Sequence, residues 1–243
     1  MSALAPWQQR VHDQLQGALA AGRLGHGLLF TGPAGIGKAE VARRLARQLL
    51  TQGSEAAAAR SAQLIDAGTH PDLMEVSFIA NKTGDKLRTE IVIEQVRRIS
   101  QQLSLTPQYG IAQVVIVDPA DAINGAAANA LLKTLEEPAP GRFLWLISSE
   151  PARLPATIRS RCQQIIFPLP ASDEALDWLQ QRGHATALAQ QALEAAGGHP
   201  GLADQWLSGE GWALRSQVLD ELHALASGRL AASELAVRWS ADG

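Results

Sequence analysis

The sequence has one cysteine, Cys162, in 243 residues. A single cysteine cannot form a disulfide within the chain, and it cannot alone build a structural zinc site, which usually takes four ligands. Aromatic residues make up 5% of the chain and the net charge is −3, so no general attraction to nucleic-acid phosphates is expected. The longest apolar runs, such as residues 114–117, are far shorter than the roughly 20 residues that a membrane span requires. We therefore expect a cytoplasmic protein in a reducing compartment.

The composition, with 46% hydrophobic and 19% charged residues, is that of a soluble globular protein with one large domain and a smaller one. In the first part of the chain, strand patterns alternate with helix patterns. Strands are predicted at 27–31, 73–79, 114–117 and 143–147, and helices at 40–50, from about 93, and at 124–137. This alternation is typical of an α/β domain built on a parallel sheet, here ending near Phe167.

After Pro168-Leu169-Pro170, only helices are predicted. Ser172 is expected to be an N-cap, because acidic residues suited to the first helical turn follow it. The next helix, at 186–196, ends at two glycines, and Pro200 can open a third. These helices form a small lid at 168–208. Beyond it, apolar residues recur at helical spacing and begin a further element; they are Leu214, Val218, Leu222 and Leu225.

A phosphate-binding loop is predicted where the first strand meets the first helix of the alternating region. The sequence GPAGIGK fits the pattern G-x-x-x-x-G-K and comprises Gly32, Pro33, Ala34, Gly35, Ile36, Gly37 and Lys38. Glycines let backbone N–H groups surround a phosphate, and the lysine reaches the outer phosphates. The next position holds Ala39, where a serine or threonine normally binds magnesium. Weak binding of ATP or ADP is therefore expected, with a weakened metal site.

An acidic residue, Asp118, follows the buried strand 114–117. Asp118 can hold magnesium directly or through water, or it can cap the turn after the strand. The following residue is Pro119, where ATPases of this kind usually carry a glutamate that activates the attacking water. Because proline offers no base, we expect no hydrolysis.

Several longer strings resemble the delta-prime and gamma/tau subunits of bacterial clamp loaders. They are HGLLFTGPAGIGK (26–38), QLIDAGTHPD (63–72), AAANALLKTLEEP (126–138) and RSRC (159–162). The resemblance implies the AAA+ architecture, with an ATPase-like core at 1–167, a lid at 168–208 and the start of a truncated helical collar at 209–243. It also implies gamma/tau and delta subunits as partners, and contact with the sliding clamp and primed DNA through the complex.

The site residues favour the delta-prime kind, which resembles a rigid platform without ATPase activity of its own. A gamma/tau motor should carry a hydroxyl at position 39, an acidic residue at 119 and an arginine near the start of the third lid helix. The chain has Ala39, Pro119 and the stretch 198–201 without arginine. Ser148 and Ser149 occupy the place of the family's polar sensor, or they cap the strand end. Two alternatives stay open: an active gamma/tau-type ATPase, and an assembly module that binds no nucleotide.

The family's small zinc module has no ligands in this chain. Its C-x2-C-x2-C positions correspond to Ala56, Ala59 and Ala62, and the first cysteine position, near Thr51, is also empty. Without thiolates we expect no zinc and no other metal site, and a helical or loose segment held by packing alone.

The resemblance gives Arg161 the main chemical role. In the Ser-Arg-Cys motif, the arginine lies on the subunit surface and points at the γ-phosphate held by the next subunit in the ring. Its guanidinium stabilises charge on the transferring phosphoryl group. Arg159 is out of register and is taken as a supporting charge, and Cys162 as a small buried packing residue.

Overall fold

The computed structural model describes residues 3–80, 86–110 and 112–241, so residues 1–2 and 242–243, the outer limits of the first and last predicted domains, lie outside it. The chain divides into two compact units, Met1–Leu169 and Pro170–Gly243. None of the described helices is both long and apolar enough to span a membrane.

The first unit contains a parallel sheet. Its strands are β1 (Gly27–Thr31), β2 (Leu73–Val76), β3 (Gln113–Val117), β4 (Arg142–Ser148) and β5 (Gln163–Ile166), in the spatial order β2-β3-β4-β1-β5. All of these strand pairs are parallel, so the predicted α/β class with a parallel sheet is confirmed. β2 is shorter than predicted. It ends at Val76, because its ladder partner Val117 is the last residue of β3, and the Ser77 carbonyl accepts a hydrogen bond from Gln95 instead.

Helices cover the sheet and bury its apolar side chains. They are α1 (Pro6–Ala20), α2 (Lys38–Leu50), α3 (Glu55–Asp66), α4 (Ile93–Ser104), α5 (Gly125–Glu136) and α6 (Ala156–Arg159). One apolar cluster joins Leu29, Val115 and Leu146 of the sheet to Ile99 of α4 and Leu131 of α5. Each such side chain, fully buried, stabilises the fold by roughly 1.5–3 kcal/mol. The sheet is thereby fixed as a rigid platform for the loops at its two edges.

Helix α1 is absent from the sequence prediction. Its signals are nevertheless present, since Pro6 occupies the first turn and the buried residues Trp7, Val11 and Leu15 are four apart. This helix matters for the site, because its first turn contacts the phosphate loop.

Polar contacts, and not packing alone, hold α3 to the rest of the unit, which corrects the prediction. Ser61 is the buried residue of this helix, and its Oγ lies 3.2 Å from Nε2 of His70. Arg47 of α2 pairs with Asp66, the last residue of α3. The helix carries little apolar surface to bury, so side-chain hydrogen bonds supply the attachment.

A buried carboxylate anchors the loop after α4. Asp72 is 1% exposed, and its oxygens accept hydrogen bonds from the backbone N–H groups of Gln108 and Tyr109, at 2.9 and 2.8 Å. The backbone N–H of Asp72 donates to Nδ1 of His70 at 3.1 Å. Burial lowers the pKa of His70, although the nearby Asp72 opposes this shift. Asp72 and His70 therefore connect α3, β2 and the 105–110 loop.

The second unit is helical. Its helices are α7 (Ser172–Gln181), α8 (Thr186–Ala195), α9 (Pro200–Ser208), α10 (Gly211–Ala226) and α11 (Ala232–Ala241). Ser172 was predicted to be an N-cap, but the cap is Ala171, whose extended backbone precedes Ser172 as the first helical residue. A small core of Ala175, Leu179, Ala189, Leu193 and Ala203 joins the first three of these helices. The division of this unit into a lid at 168–208 and a collar start at 209–243 stays a prediction.

Candidate functional site

The predicted phosphate loop connects β1 to α2, and two of its glycines have no room for a side chain. Gly32 has φ +145°, and a Cβ there would collide with the backbone carbonyl of Phe167. Gly37 has φ +97° and is the N-cap of α2, and a Cβ there would collide with the Gln8 side chain. The loop shape thus depends on glycine at these positions, and it brings backbone N–H groups to the positive end of α2.

Lys38 is folded back onto this loop. The residue is 5% exposed, and Nζ donates to the carbonyls of Gly32 and Pro33, at 2.8 and 2.6 Å, and to Ser149 Oγ at 3.1 Å. Burial lowers the pKa of Lys38, while Asp118 and Asp121 oppose the shift. The lysine therefore already has three oxygen partners within the protein.

The first turn of α1 supports the loop from outside. Trp7 Nε1 and Gln8 Nε2 both donate to the carbonyl of Ile36, at 3.0 and 3.1 Å. The sequence does not predict these contacts, because the two residues lie almost 30 positions before Ile36 and no local pattern links them to the loop.

Two carboxylates, Asp118 and Asp121, lie near enough to Lys38 to affect its pKa. Burial raises the pKa of Asp118, whereas Lys38 and Arg43 oppose the shift. Asp121 lies in a short 3₁₀ helix, Ala120–Ala122, and its Oδ1 is buried without a hydrogen-bond partner among the described residues. The pattern Asp-Pro-Ala-Asp in the sequence was the available signal for this second carboxylate.

The two serines after β4 have different partners. Ser149 Oγ accepts from Lys38 at 3.1 Å, whereas Ser148 Oγ accepts from the backbone N–H of Glu150 at 3.2 Å. Ser149 therefore faces the phosphate loop, and Ser148 stabilises the strand end. Ser148 thus makes the contact expected of a strand-end cap, and a sensor role for either serine stays a prediction.

Arg161 follows α6 at the edge of the sheet where the strands begin. A Cβ placed on Gly27, the first residue of β1, would lie 3.4 Å from the Arg161 carbonyl and 3.6 Å from Cys162 Sγ. The phosphate loop begins at Gly32, where the parallel strand β1 ends. Five strand residues at about 3.3 Å each separate these edges by roughly 16 Å. Arg161 is thus remote from the loop of its own chain.

The Arg161 side chain is half-exposed and has two partners. One terminal nitrogen pairs with Oε1 of Glu136 at 2.6 Å, and the other donates to the Thr157 carbonyl at 2.9 Å. Arg159 is the last residue of α6 and its position gives no separate role. Burial raises the pKa of Cys162 to about 11, which agrees with packing and not with thiol chemistry.

The three alanines at the positions of the family's zinc-binding cysteines lie on a regular helix. Ala56, Ala59 and Ala62 belong to α3, and Thr51 follows the last residue of α2. Within residues 3–80, 86–110 and 112–241, no group of three or more His, Cys, Asp and Glu side chains is placed to hold a metal ion.

Comparison with known proteins gives one consistent family. The family model described as "DNA polymerase III, delta subunit" matches residues 7–171. DNA polymerase III subunit delta' of Pseudomonas aeruginosa is 40% identical over 248 residues, covering 99% of this chain and 72% of that protein. The delta' subunit of Escherichia coli (strain K12) is 34% identical over 225 residues, covering 89% of this chain and 65% of that protein.

A related subunit matches over a shorter range. DNA polymerase III subunit tau of Escherichia coli (strain K12) is 32% identical over 170 residues, covering 68% of this chain and 25% of that protein. The chain spans about two thirds to three quarters of the two delta' relatives, 65% and 72%.

Proposed function

The chain belongs to the family of DNA polymerase III delta-prime subunits, and from that premise we propose that it is a non-hydrolysing clamp-loader subunit. In this proposal Arg161 serves the ATP site of a neighbouring subunit while the sliding clamp is loaded on DNA for replication. The observation that carries it is the distance of roughly 16 Å, along β1, between the edge that holds Arg161 and the phosphate loop of the same chain. Turnover by rings rebuilt with Arg161→Ala is the test.

The partners belong to the proposal as well. A guanidinium at the outer edge of the sheet needs phosphates from another chain, because the loop of its own chain is out of reach. We propose gamma/tau as the subunit that supplies them, with delta, the sliding clamp and primed DNA reached through the assembled complex, in the cytoplasm.

The phosphate loop of this chain fits the phosphates of a nucleotide but lacks parts of a hydrolytic site. Gly32 and Gly37 give the loop its shape, and Lys38 can exchange its carbonyl partners for phosphate oxygens. Ala39 offers no oxygen to magnesium and Pro119 offers no base. Bound ATP or ADP would thus be held by the backbone and Lys38, and would supply binding energy and order without turnover.

We expect weak binding of ADP and ATP, with no hydrolysis above background. Lys38→Ala should weaken binding at least about tenfold, since a charge-assisted contact to phosphate is worth about 1.5–3 kcal/mol. Titration calorimetry with the full-length protein measures it. Lys133→Ala, which removes an exposed lysine of α5 far from the loop, is the control. ATP turnover that Lys38→Ala abolishes would contradict the proposal.

The three protein contacts of Lys38 favour a second candidate, an assembly module that binds no nucleotide at all. The same titration decides between the two, because this candidate requires no heat of binding at millimolar ADP.

We also propose that the protein holds no zinc. The positions of the family's cysteines are alanines on α3, and the helix is attached by Ser61–His70 and Arg47–Asp66. Elemental analysis after dialysis is expected to find far less than one zinc per chain, and a chelator should leave the urea unfolding midpoint unchanged. Stoichiometric zinc, or a lower midpoint with chelator, would refute this.

A further inference from the structure

The backbone around Arg161 is rigid. Its N–H donates to the carbonyl of Ile158 at 3.1 Å, and both Ile158 and Cys162 are buried in the apolar cluster beneath α5 and α6. Its Cα is therefore fixed relative to the sheet. The remaining freedom lies in the side chain, which has many rotamers and loses much entropy when it is ordered.

Two contacts restrict that side chain. The Thr157 carbonyl holds one terminal nitrogen and the Glu136 carboxylate holds the other, at 2.9 and 2.6 Å. Each terminal nitrogen of a guanidinium has two N–H groups, so each keeps one for a phosphate oxygen. The contacts therefore orient the guanidinium without using up its donors.

The backbone of Glu136 is anchored through its helix. Glu136 is the last residue of α5, and Leu131 and Leu135 of the same helix are buried in the core. The side chains of Arg161 and Glu136 are 36% and 48% exposed, and ion pairs this exposed contribute little to stability. Any contribution of the pair would therefore lie in the orientation of the guanidinium, and it would grow if a neighbouring subunit excluded water from this edge.

We propose that Glu136 is a positioning residue for Arg161, fixing the guanidinium in the orientation that a neighbour's γ-phosphate requires. This inference rests on the proposed function of Arg161. Among the described residues, Glu136 is the carboxylate that pairs with Arg161, so the adjacent exposed Glu137 offers a matched control. Glu136→Gln and Glu137→Gln remove the same charge one residue apart.

The first measurement needs no partner. Phenylglyoxal modifies arginine, and mass spectrometry follows its reaction at Arg161 in the full-length protein. Glu136→Gln is expected to speed this reaction about two- to fivefold, as for the loss of one exposed ion pair, while Glu137→Gln leaves it unchanged. Equal rates in both variants would overturn the proposal.

The second measurement is steady-state ATPase of rebuilt rings in which only the site facing this subunit is intact. Glu136→Gln should lower kcat about tenfold, since small misplacements of a catalytic group are costly, with KM for ATP unchanged. Glu137→Gln should have no effect, and in an Arg161→Ala background Glu136→Gln should add nothing. A merely structural role of Glu136 would change ring assembly or KM instead.

The outcomes separate the two proposals. Unchanged kcat in Arg161→Ala rings would refute the role of Arg161 and, with it, positioning by Glu136. A loss with Arg161→Ala but none with Glu136→Gln would refute positioning alone. A rise in kcat with Glu136→Gln would also refute it, because the carboxylate would then be restraining the arginine.

Discussion

Rings rebuilt from full-length subunits with Arg161→Ala are expected to lose about 10³-fold or more of the ATPase at the one site that faces this subunit. The physical reason is charge: the transferring phosphoryl group carries negative charge, and a fixed guanidinium stabilises it without further reorganisation. Neighbouring sites with their own arginines should keep their activity, so the total turnover of an unmodified ring falls only in part.

The stability of the fold should change little in the Arg161→Ala variant. Arg161 is half-exposed and its ion pair with Glu136 is open to water, so its loss should cost less than about 1 kcal/mol. Circular dichroism and the urea midpoint should match the wild type, and size-exclusion chromatography should find equally populated rings.

The control for Arg161→Ala is Arg60→Ala, which removes an exposed arginine of α3. It should leave turnover unchanged. Full turnover at the facing site of equally populated Arg161→Ala rings would leave a scaffold role only.

Among the proposed variants, Asp72→Ala should lose the most stability. We expect its free energy of unfolding to fall by about 2–4 kcal/mol. The buried carboxylate accepts from the N–H groups of Gln108 and Tyr109, and alanine would leave these donors without their acceptor. The loop after α4 would also lose its attachment to β2. Urea unfolding of the full-length protein measures the loss.

Two variants check the cause of the Asp72 effect. Asp72→Asn keeps one carbonyl acceptor and should lose clearly less than alanine. Asp177→Ala removes an exposed carboxylate of α7, and it should change the midpoint little. Equal midpoints for Asp72→Ala and wild type would mean that water replaces the carboxylate without cost.

Local patterns predicted most of the fold. The run of branched residues at 114–117 predicts the buried strand β3, Gln113–Val117, and the glycines and lysine of residues 32–38 predict the phosphate loop. Helix α1 could have been predicted too, from Pro6 and the spacing of Trp7, Val11 and Leu15. The end of β2 could not, because it depends on where its partner β3 ends.

Contacts between residues far apart in the sequence could not be predicted from local sequence patterns. The pairing of Glu136 with Arg161 joins positions 25 apart, and the hydrogen bond between Ser61 and His70 depends on how α3 lies on the loop before β2. Which of Ser148 and Ser149 faces Lys38 follows from the direction in which β4 ends. In each case the side chain's partner is set by tertiary packing.

Because all of the paired strands run parallel, the two edges of the sheet differ. The edge where the strands end carries the phosphate loop, and the edge where they begin carries Arg161. A protomer that donates an arginine at one edge and accepts a neighbour's arginine at the other would bind its neighbours head to tail. Such contacts are heterologous interfaces and not two-fold symmetric ones. In an assembly built on the proposed function, a chain that gives an arginine but makes no use of one at its own loop is suited to the end of such a row, where no donor follows.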